Sequence, residues 1–394
     1  MQEIKKQIID ALEALRPELL EMSHDIHDHP ELGFEEYHAI SLIRAQLEKH
    51  HFAITDNFCG METALKATFA GKGDGPHIAF LAEYDALPGV GHGCGHNVIA
   101  TCAVGAAIGL SKVMDNFCGK VSLIATPAEE SGGGKAIMVD KGGFDDVDFA
   151  MMIHPSTGRS LIGRGGRAAV IIGVEFEGKN AHSSRPERGI NALSAVIHLF
   201  NTIDLVRPTL DMYDNINGVI THGGLASNII PGFASCKFAV RANTMKELEH
   251  LSQIIQDAAA SAEKITGAKA KVDVGPFYAE RYPNLTMGEK FKENMALLGE
   301  EMELAKPGAY GSSDVGNVSI KLPAIHEYLS IGPSTVNAHS KELAACAISE
   351  RADTVCIKGA EGLAMTGVDI LSSQELRDAI KAEHEKSVPD FYKK

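Results

Sequence analysis

Residues 91–97 read Gly-His-Gly-Cys-Gly-His-Asn, and Thr126-Pro127-Ala128-Glu129-Glu130-Ser131-Gly132 follows about thirty residues later. A thiol and an imidazole two residues apart, joined by paired carboxylates, make the mixed sulfur, nitrogen and oxygen donor set that divalent metals select. Cys94 and His96 follow a glycine-rich turn at the start of a small-residue helix, expected from Asn97 to about Asp115. A helix N-terminus lowers a thiol pKa and so favours the thiolate, the form that binds metal.

These residues need a scaffold, and the surrounding pattern supplies one. Three short, continuously apolar runs, Ile78 to Leu81, Val121 to Ala125 and Phe149 to Ile153, read as strands buried on both faces. Helical segments separate them, which predicts an α/β domain with a parallel or mixed sheet. Directly after the runs come Glu83 and Asp85, then Glu129 and Glu130, then His154. In open α/β sheets ligands bind beyond the carboxyl ends of the strands. Each motif alone has a plain alternative: a buried Cys with a surface His, a solvated helix start, an edge feature. Three strands delivering candidate ligands to one edge favours a metal site.

The first forty residues have helical spacing, with Leu12, Leu15, Leu19 and Leu20 on one face and Pro17 as an expected kink or break. From Arg167 the pattern changes. Strand-like segments are read at Ala168 to Gly178, Gly218 to Thr221, Cys236 to Arg241 and Lys269 to Val274, with helices at Ile190 to Val206 and Met245 to Thr266. The order βαββαβ suits a ferredoxin-like unit inserted into the larger domain. The expected organisation is a discontinuous mixed-sheet α/β metal-binding domain (1–166 and 281–394) and an inserted α+β lid or dimerisation domain (167–280).

Composition narrows the function. A net charge of −15 with no basic stripe argues against nucleic-acid partners. The longest apolar run, Val98 to Leu110, is too short to cross a bilayer, and the charged N-terminus is not a secretory signal. Seven scattered cysteines without a CxxC pair argue against a disulfide framework and for a reducing, cytoplasmic setting. Ser131 to Lys135 lacks the spacing of a phosphate loop, and Ser312-Ser313-Asp314 lacks the elbow of a nucleophilic serine.

His29-Pro30-Glu31-Leu32-Gly33, Cys94-Gly95-His96-Asn97, Glu129-Glu130, His154-Pro155, Asn180-Ala181-His182 and Val336-Asn337-Ala338-His339 occur in one order along the chain. In these segments the chain resembles the M20 metallopeptidases and amidohydrolases. The likeness is to the Cys-Gly-His branch that includes p-aminobenzoyl-glutamate hydrolases and aminoacyl-dipeptidase-like proteins. The resemblance implies two divalent metals, zinc or manganese, held by Cys94, His96, Glu130, His154 and His339, with Glu129 as general base. It further implies that His182 stabilises the oxyanion in the neighbouring subunit of a homodimer or higher homo-oligomer, and that Asn228 and Arg241 hold the substrate carboxylate. Two positions depart from the family. Glu83-Tyr84-Asp85 replaces the usual His-x-Asp, which makes Asp85 a residue that orients ligands, and Asn97 stands where relatives often have Asp.

The expected activity is hydrolysis of a small peptide or of an aminoacyl or aroyl amide bond next to a free carboxylate, by metal-activated water. An N-acyl-amino-acid deacylase differs only in the acyl pocket, and a catalytically silent metal- or peptide-binding relative has no need of Glu129.

Overall fold

Helix α1 (Gln2–Asp28) opens the chain and runs through Pro17 without a break. Proline there costs a backbone hydrogen bond. Ile8, Leu12, Leu19 and Met22, on both sides of it, are buried in the main core and outweigh that loss. The expected break is therefore absent. Helix α2 (Tyr37–Lys49) follows, its first amides accepted by the carboxylate of Glu31, which receives the N–H groups of His38 and Ala39 at 2.8 and 2.9 Å. Next come strands β1 (Ala53–Asp56), β2 (Leu65–Ala70) and β3 (His77–Ala82), then α3 (His96–Ser111), β4 (Lys120–Ala125), α4 (Gly134–Asp140), β5 (Phe149–Thr157) and β6 (Leu161–Ile162). The structure, a computed structural model, describes residues 1–308 and 310–393.

By its contacts the chain forms two units, one of Met1–Gly165 with the chain from Arg281 on, the other Gly166–Glu280. In the second unit β7 (Ala168–Glu177), β8 (Ala181–His182), α5 (Ala192–Val206), β9 (Asn215–His222), β10 (Ile229–Ile230), β11 (Phe233–Ala242), α6 (Met245–Thr266) and β12 (Lys269–Val274) follow in order. Four strands form an antiparallel sheet, β12-β7-β11-β9, in the ferredoxin-like arrangement. Val170, Ile172, Val174 and Phe176 alternate inward on β7 and pack with Leu199 and Ile203 of α5 and Leu251 and Ile255 of α6. Both helices start at side-chain caps. Asn191 accepts the Ser194 amide, while Thr244 and Glu247 form a reciprocal capping box, and Gly267 ends α6 at φ 78°.

The chain returns through α7 (Leu285–Leu297), β13 (Glu303–Leu304), α8 (Val315–Lys321), β14 (Ala324–Gly332), α9 (Lys341–Cys346), α10 (Glu350–Ser372) and α11 (Gln374–Ser387). The larger unit is built on a mixed eight-stranded sheet, β1-β2-β4-β3-β5-β14-β6-β13. At its centre β4, β3, β5 and β14 are mutually parallel, so their carboxyl ends share one edge. Every residue of α3 is buried, as an all-round apolar helix must be. Its small residues let α10 approach closely: a Cβ on Gly105 would come within 2.8 Å of the Ala360 methyl group. No helix among the described residues is long and apolar enough to cross a membrane.

The contact at Gly105 is tight enough to test. Gly105→Val should lower stability by about 1–3 kcal/mol through overpacking against α10, read as a lower urea midpoint. An unchanged midpoint would show that the two helices can separate without loss.

Candidate metal centre

The parallel strands deliver side chains to one place. Glu83 and Asp85 follow β3, Glu129 and Glu130 follow β4, and His154 lies within β5, which runs four residues beyond the expected end of its apolar stretch. Cys94 precedes α3 and His96 is its first residue, with Gly95 between them at φ 76°, a conformation suited to glycine. The Gly132-Gly133-Gly134 loop is equally constrained. A Cβ on Gly134 would stand 2.0 Å from the Pro127 carbonyl oxygen, so only glycine lets the chain fold back beneath the two glutamates. His339 arrives from the last segment, its amide bonded to the Gly93 carbonyl and its backbone at φ 60°. That strained geometry is of the kind that gathers at functional sites.

Three overlapping groups of donor atoms result, each with its atoms within 4.8 Å of one another: Cys94, His96 and His154; Cys94, Glu130 and His339; and Glu83, His96 and Glu129. Hydrogen bonding points the lone pairs inward. His96 Nδ1 lies 2.9 Å from Asp85 Oδ1, and His154 Nδ1 lies 2.6 Å from the Pro155 carbonyl oxygen. Each acceptor calls for the proton on Nδ1, which leaves Nε2 as the ligating atom. His154 Nε2 is 3.5 Å from Cys94 Sγ. His96 Nε2 stands 3.5 Å from Glu83 Oε2 and 3.7 Å from Glu130 Oε1, and these three buried atoms have no hydrogen-bond partner. His339 Nε2 is 3.6 Å from Glu130 Oε2, with its ring half exposed.

Buried acceptors facing one another without a donor are unfavourable unless a cation joins them. The titration behaviour points the same way. Burial pushes the Glu129 carboxyl well above its ordinary range, and the neighbouring carboxylates of Glu83, Glu130 and Asp314 add to the push. Burial would lower the His96 pKa, but the Asp85 carboxylate outweighs it and raises it well above the usual range, so without a cation the ring draws a second proton, on Nε2, into the gap between the carboxylates that a metal would fill. The Cys94 thiol corrects the expectation of a helix-favoured thiolate: burial pushes it up, because Cys94 lies outside the helix in a dry, negative pocket. A divalent cation reverses that sign, since a coordinating thiol is deprotonated outright. The donor set fits divalent metal.

Asp85 joins the centre from behind. One oxygen meets His96, and the other accepts the Glu130 amide at 2.9 Å. Asn97 turns away, donating to Ser23 Oγ at 3.1 Å and the Ala347 carbonyl at 3.0 Å, so its missing charge belongs to the packing of α1. Sequence pattern alone gives no role to Lys135, which reads as part of a glycine-rich loop, or to Asp314, which reads as part of a rejected serine motif. Lys135 Nζ lies fully buried, 2.6 Å from Glu83 Oε1 and 2.7 Å from Asp314 Oδ1. A lone lysine between glycines and an apolar turn is the one signal the sequence offers for it.

In the inserted unit, His182 lies on β8 opposite Ile229, with Nδ1 2.8 Å from Ser184 Oγ. The Ser183 amide bonds the Asn228 carbonyl, so His182 and Asn228 share one exposed corner. Arg241 does not share it. It stands eight residues along β11 from Phe233, opposite Ala169, a distance of about 27 Å at strand rise. Burial and the nearby Arg167 lower its pKa.

Asp85→Asn should retain the fold but weaken metal affinity about 10–100-fold, the usual cost of losing a partner that orients a ligand. Competitive chelator titration measures this. Unchanged affinity would remove Asp85 from the site.

Residues 79–355 match the sequence profile of Peptidase family M20/M25/M40. The chain is 32% identical over 398 residues to the Xaa-Arg dipeptidase of Mus musculus, covering 96% of this chain and 92% of that protein. It is 31% identical to one of the subunits of the p-aminobenzoyl-glutamate hydrolase of Escherichia coli, over 78% of this chain and 69% of that one. In structure it is similar to a Bacillus subtilis protein described as a dinuclear metal binding peptidase from the M20 family, with a TM-score of 0.64 and 23% identity over 91% and 99% of the two chains. The family match and the full-length likeness together make the chain a member of peptidase family M20, a metal-dependent peptidase or amidohydrolase.

Proposed function

We propose that this chain is a two-metal amide hydrolase that cleaves a small peptide, or an aminoacyl or aroyl amide, next to a free carboxylate. The observation that carries the reading is the overlap of the donor groups. Cys94 and Glu130 link His96 and His154 to His339, which is enough ligands for two adjacent ions, and Glu129 lies against them without being needed to complete either set. The likeness to a dipeptidase and to an aminobenzoyl-glutamate hydrolase supports the substrate class.

When bound, divalent ions would polarise the scissile carbonyl and acidify a water. Cys94, His96, Glu130, His154 and His339 would hold them. Thiolate and imidazole favour zinc, while the carboxylates leave manganese open. Glu129 takes the proton from the attacking water and returns it to the leaving amine. Burial and its carboxylate neighbours raise its pKa, which suits a carboxylate that must pick up a proton as well as release one. Asp85 fixes the His96 ring and the Glu130 backbone. His182 donates to the developing oxyanion across a homodimer, and Asn228 beside it binds the substrate. Arg241, about 27 Å along β11 from the end of the strand nearest Asn228, lies beyond the reach of a small substrate bound beside Asn228 of the same chain. Exposed Ile171 and Val219 on the sheet of the inserted unit suit burial against another copy. Seven cysteines unpaired among the described residues suit a cytoplasmic setting.

A panel of dipeptides and N-acyl amino acids, assayed with added Zn²⁺ or Mn²⁺, tests the activity and separates a dipeptidase from a deacylase. Glu129→Gln should keep its metal and lose at least about 10²-fold in rate; near-normal turnover would place the base elsewhere. His182→Ala should lower kcat by an amount equivalent to about 3–4 kcal/mol with little change in KM. Mixing the two variants should restore activity in hybrid dimers. No recovery after verified subunit exchange would remove the role in trans.

A further inference from the structure

Behind His154 the fold gathers positive charge. Strand β14 pairs with β5 so that Tyr328 lies opposite His154, and strand alternation turns His326 to the same face as Tyr328. Both rings stand 5.3 Å from the His154 ring. Arg281, only 7% exposed, donates to Tyr328 Oη at 3.0 Å, to the Gly165 carbonyl at 2.9 Å and to His326 Nδ1. Arg164 stacks on the same residue, its guanidinium 4.2 Å from the Tyr328 ring centroid and 4.7 Å from that of Tyr310.

Among the described residues no carboxylate forms an ion pair with either guanidinium. Glu327 alternates to the opposite face of β14, where one oxygen accepts the Gly163 amide at 2.8 Å. Burial pushes its carboxyl up to about 8, so it carries little charge at neutrality. Three buried nitrogens around Tyr328 lack a hydrogen-bond partner: Nε of Arg164, Nε of Arg281 and Nε2 of His326. Because His326 Nδ1 accepts from Arg281, its Nε2 carries the proton, and all three are donors. The metal centre presents acceptors that call for a cation; this cluster presents donors that call for an anion.

We propose that Arg164 and Arg281, with His326, form the subsite for the carboxylate of the leaving amino acid. This assigns as substrates amides whose leaving amine carries a free carboxylate, and it rests on the hydrolase reading above. In an amino-acid amide the carboxylate stands two bonds from the amide nitrogen, so its receptor must border the metal ligands, as this cluster borders His154. Guanidinium groups match carboxylate in shape and charge. The subsite differs from the Asn228 and Arg241 pair that the resemblance implied.

The test compares a dipeptide with its C-terminal carboxamide on zinc-loaded protein. Wild type should prefer the free acid by roughly 30-fold or more in kcat/KM. Arg164→Ala should raise KM for the free acid far more than for the carboxamide, bringing the ratio toward one, and Arg164→Lys should keep part of the preference at unchanged metal content. Equal losses on both substrates, or no loss, would overturn the subsite while leaving the hydrolase reading intact. Calorimetry with benzoylglycine and benzoylglycinamide on metal-stripped protein, which cleaves neither, judges the subsite without turnover. Binding of benzoylglycine that is equal in wild type and Arg164→Ala overturns it; a carboxylate preference lost in the variant upholds it even if no amide is cleaved.

Discussion

Uncompensated negative charge in a dry pocket is the constraint around which the larger unit is arranged. His96 Nε2 faces Glu83 Oε2 at 3.5 Å and Glu130 Oε1 at 3.7 Å without a hydrogen bond, and only positive charge can join them. Such an arrangement would work against folding if nothing positive filled it. Lys135 offsets part of the charge, tied to Glu83 and Asp314. The remainder calls for divalent metal, and binding energy of that kind also stabilises the folded state.

The scaffold makes this arrangement possible at modest cost. Parallel pairing of β4, β3 and β5 brings three loops to one sheet edge, and a helix built from small residues seats Cys94 and His96 above it. Asp85 couples two of those segments through a single carboxylate, so the β3 loop fixes both the ring of one ligand and the backbone of another. The cationic layer on β14 lies one strand further along the same edge. Charge of opposite sign is thus sorted across neighbouring strands.

Much of the scaffold was legible in the sequence because its signals are local. Continuous apolar runs marked β3, β4 and β5, and the order of strand-like and helical segments marked the ferredoxin-like unit. What escaped was set by tertiary context. Pro17 reads as a break, yet burial of Leu12 and Leu19 carries the helix through it. Lys135 reads as a loop lysine until Asp314, far along the chain, is seen against it. The state of the Cys94 thiol depends on how dry its pocket is, which no motif encodes. Arg241 and Asn228 appear as a pair in the sequence order, and only the length of β11 separates them. His326 and Tyr328 stand out only once β14 is known to pair beside His154.

The central claim is that Cys94, with the imidazoles and Glu130, holds two divalent ions. Elemental analysis of protein reloaded with zinc after chelator stripping tests it most directly. The account predicts two ions per chain in the wild type and a clear drop in Cys94→Ala that remains folded. Two ions per chain retained in that variant would contradict the ligand set and the mechanism built on it.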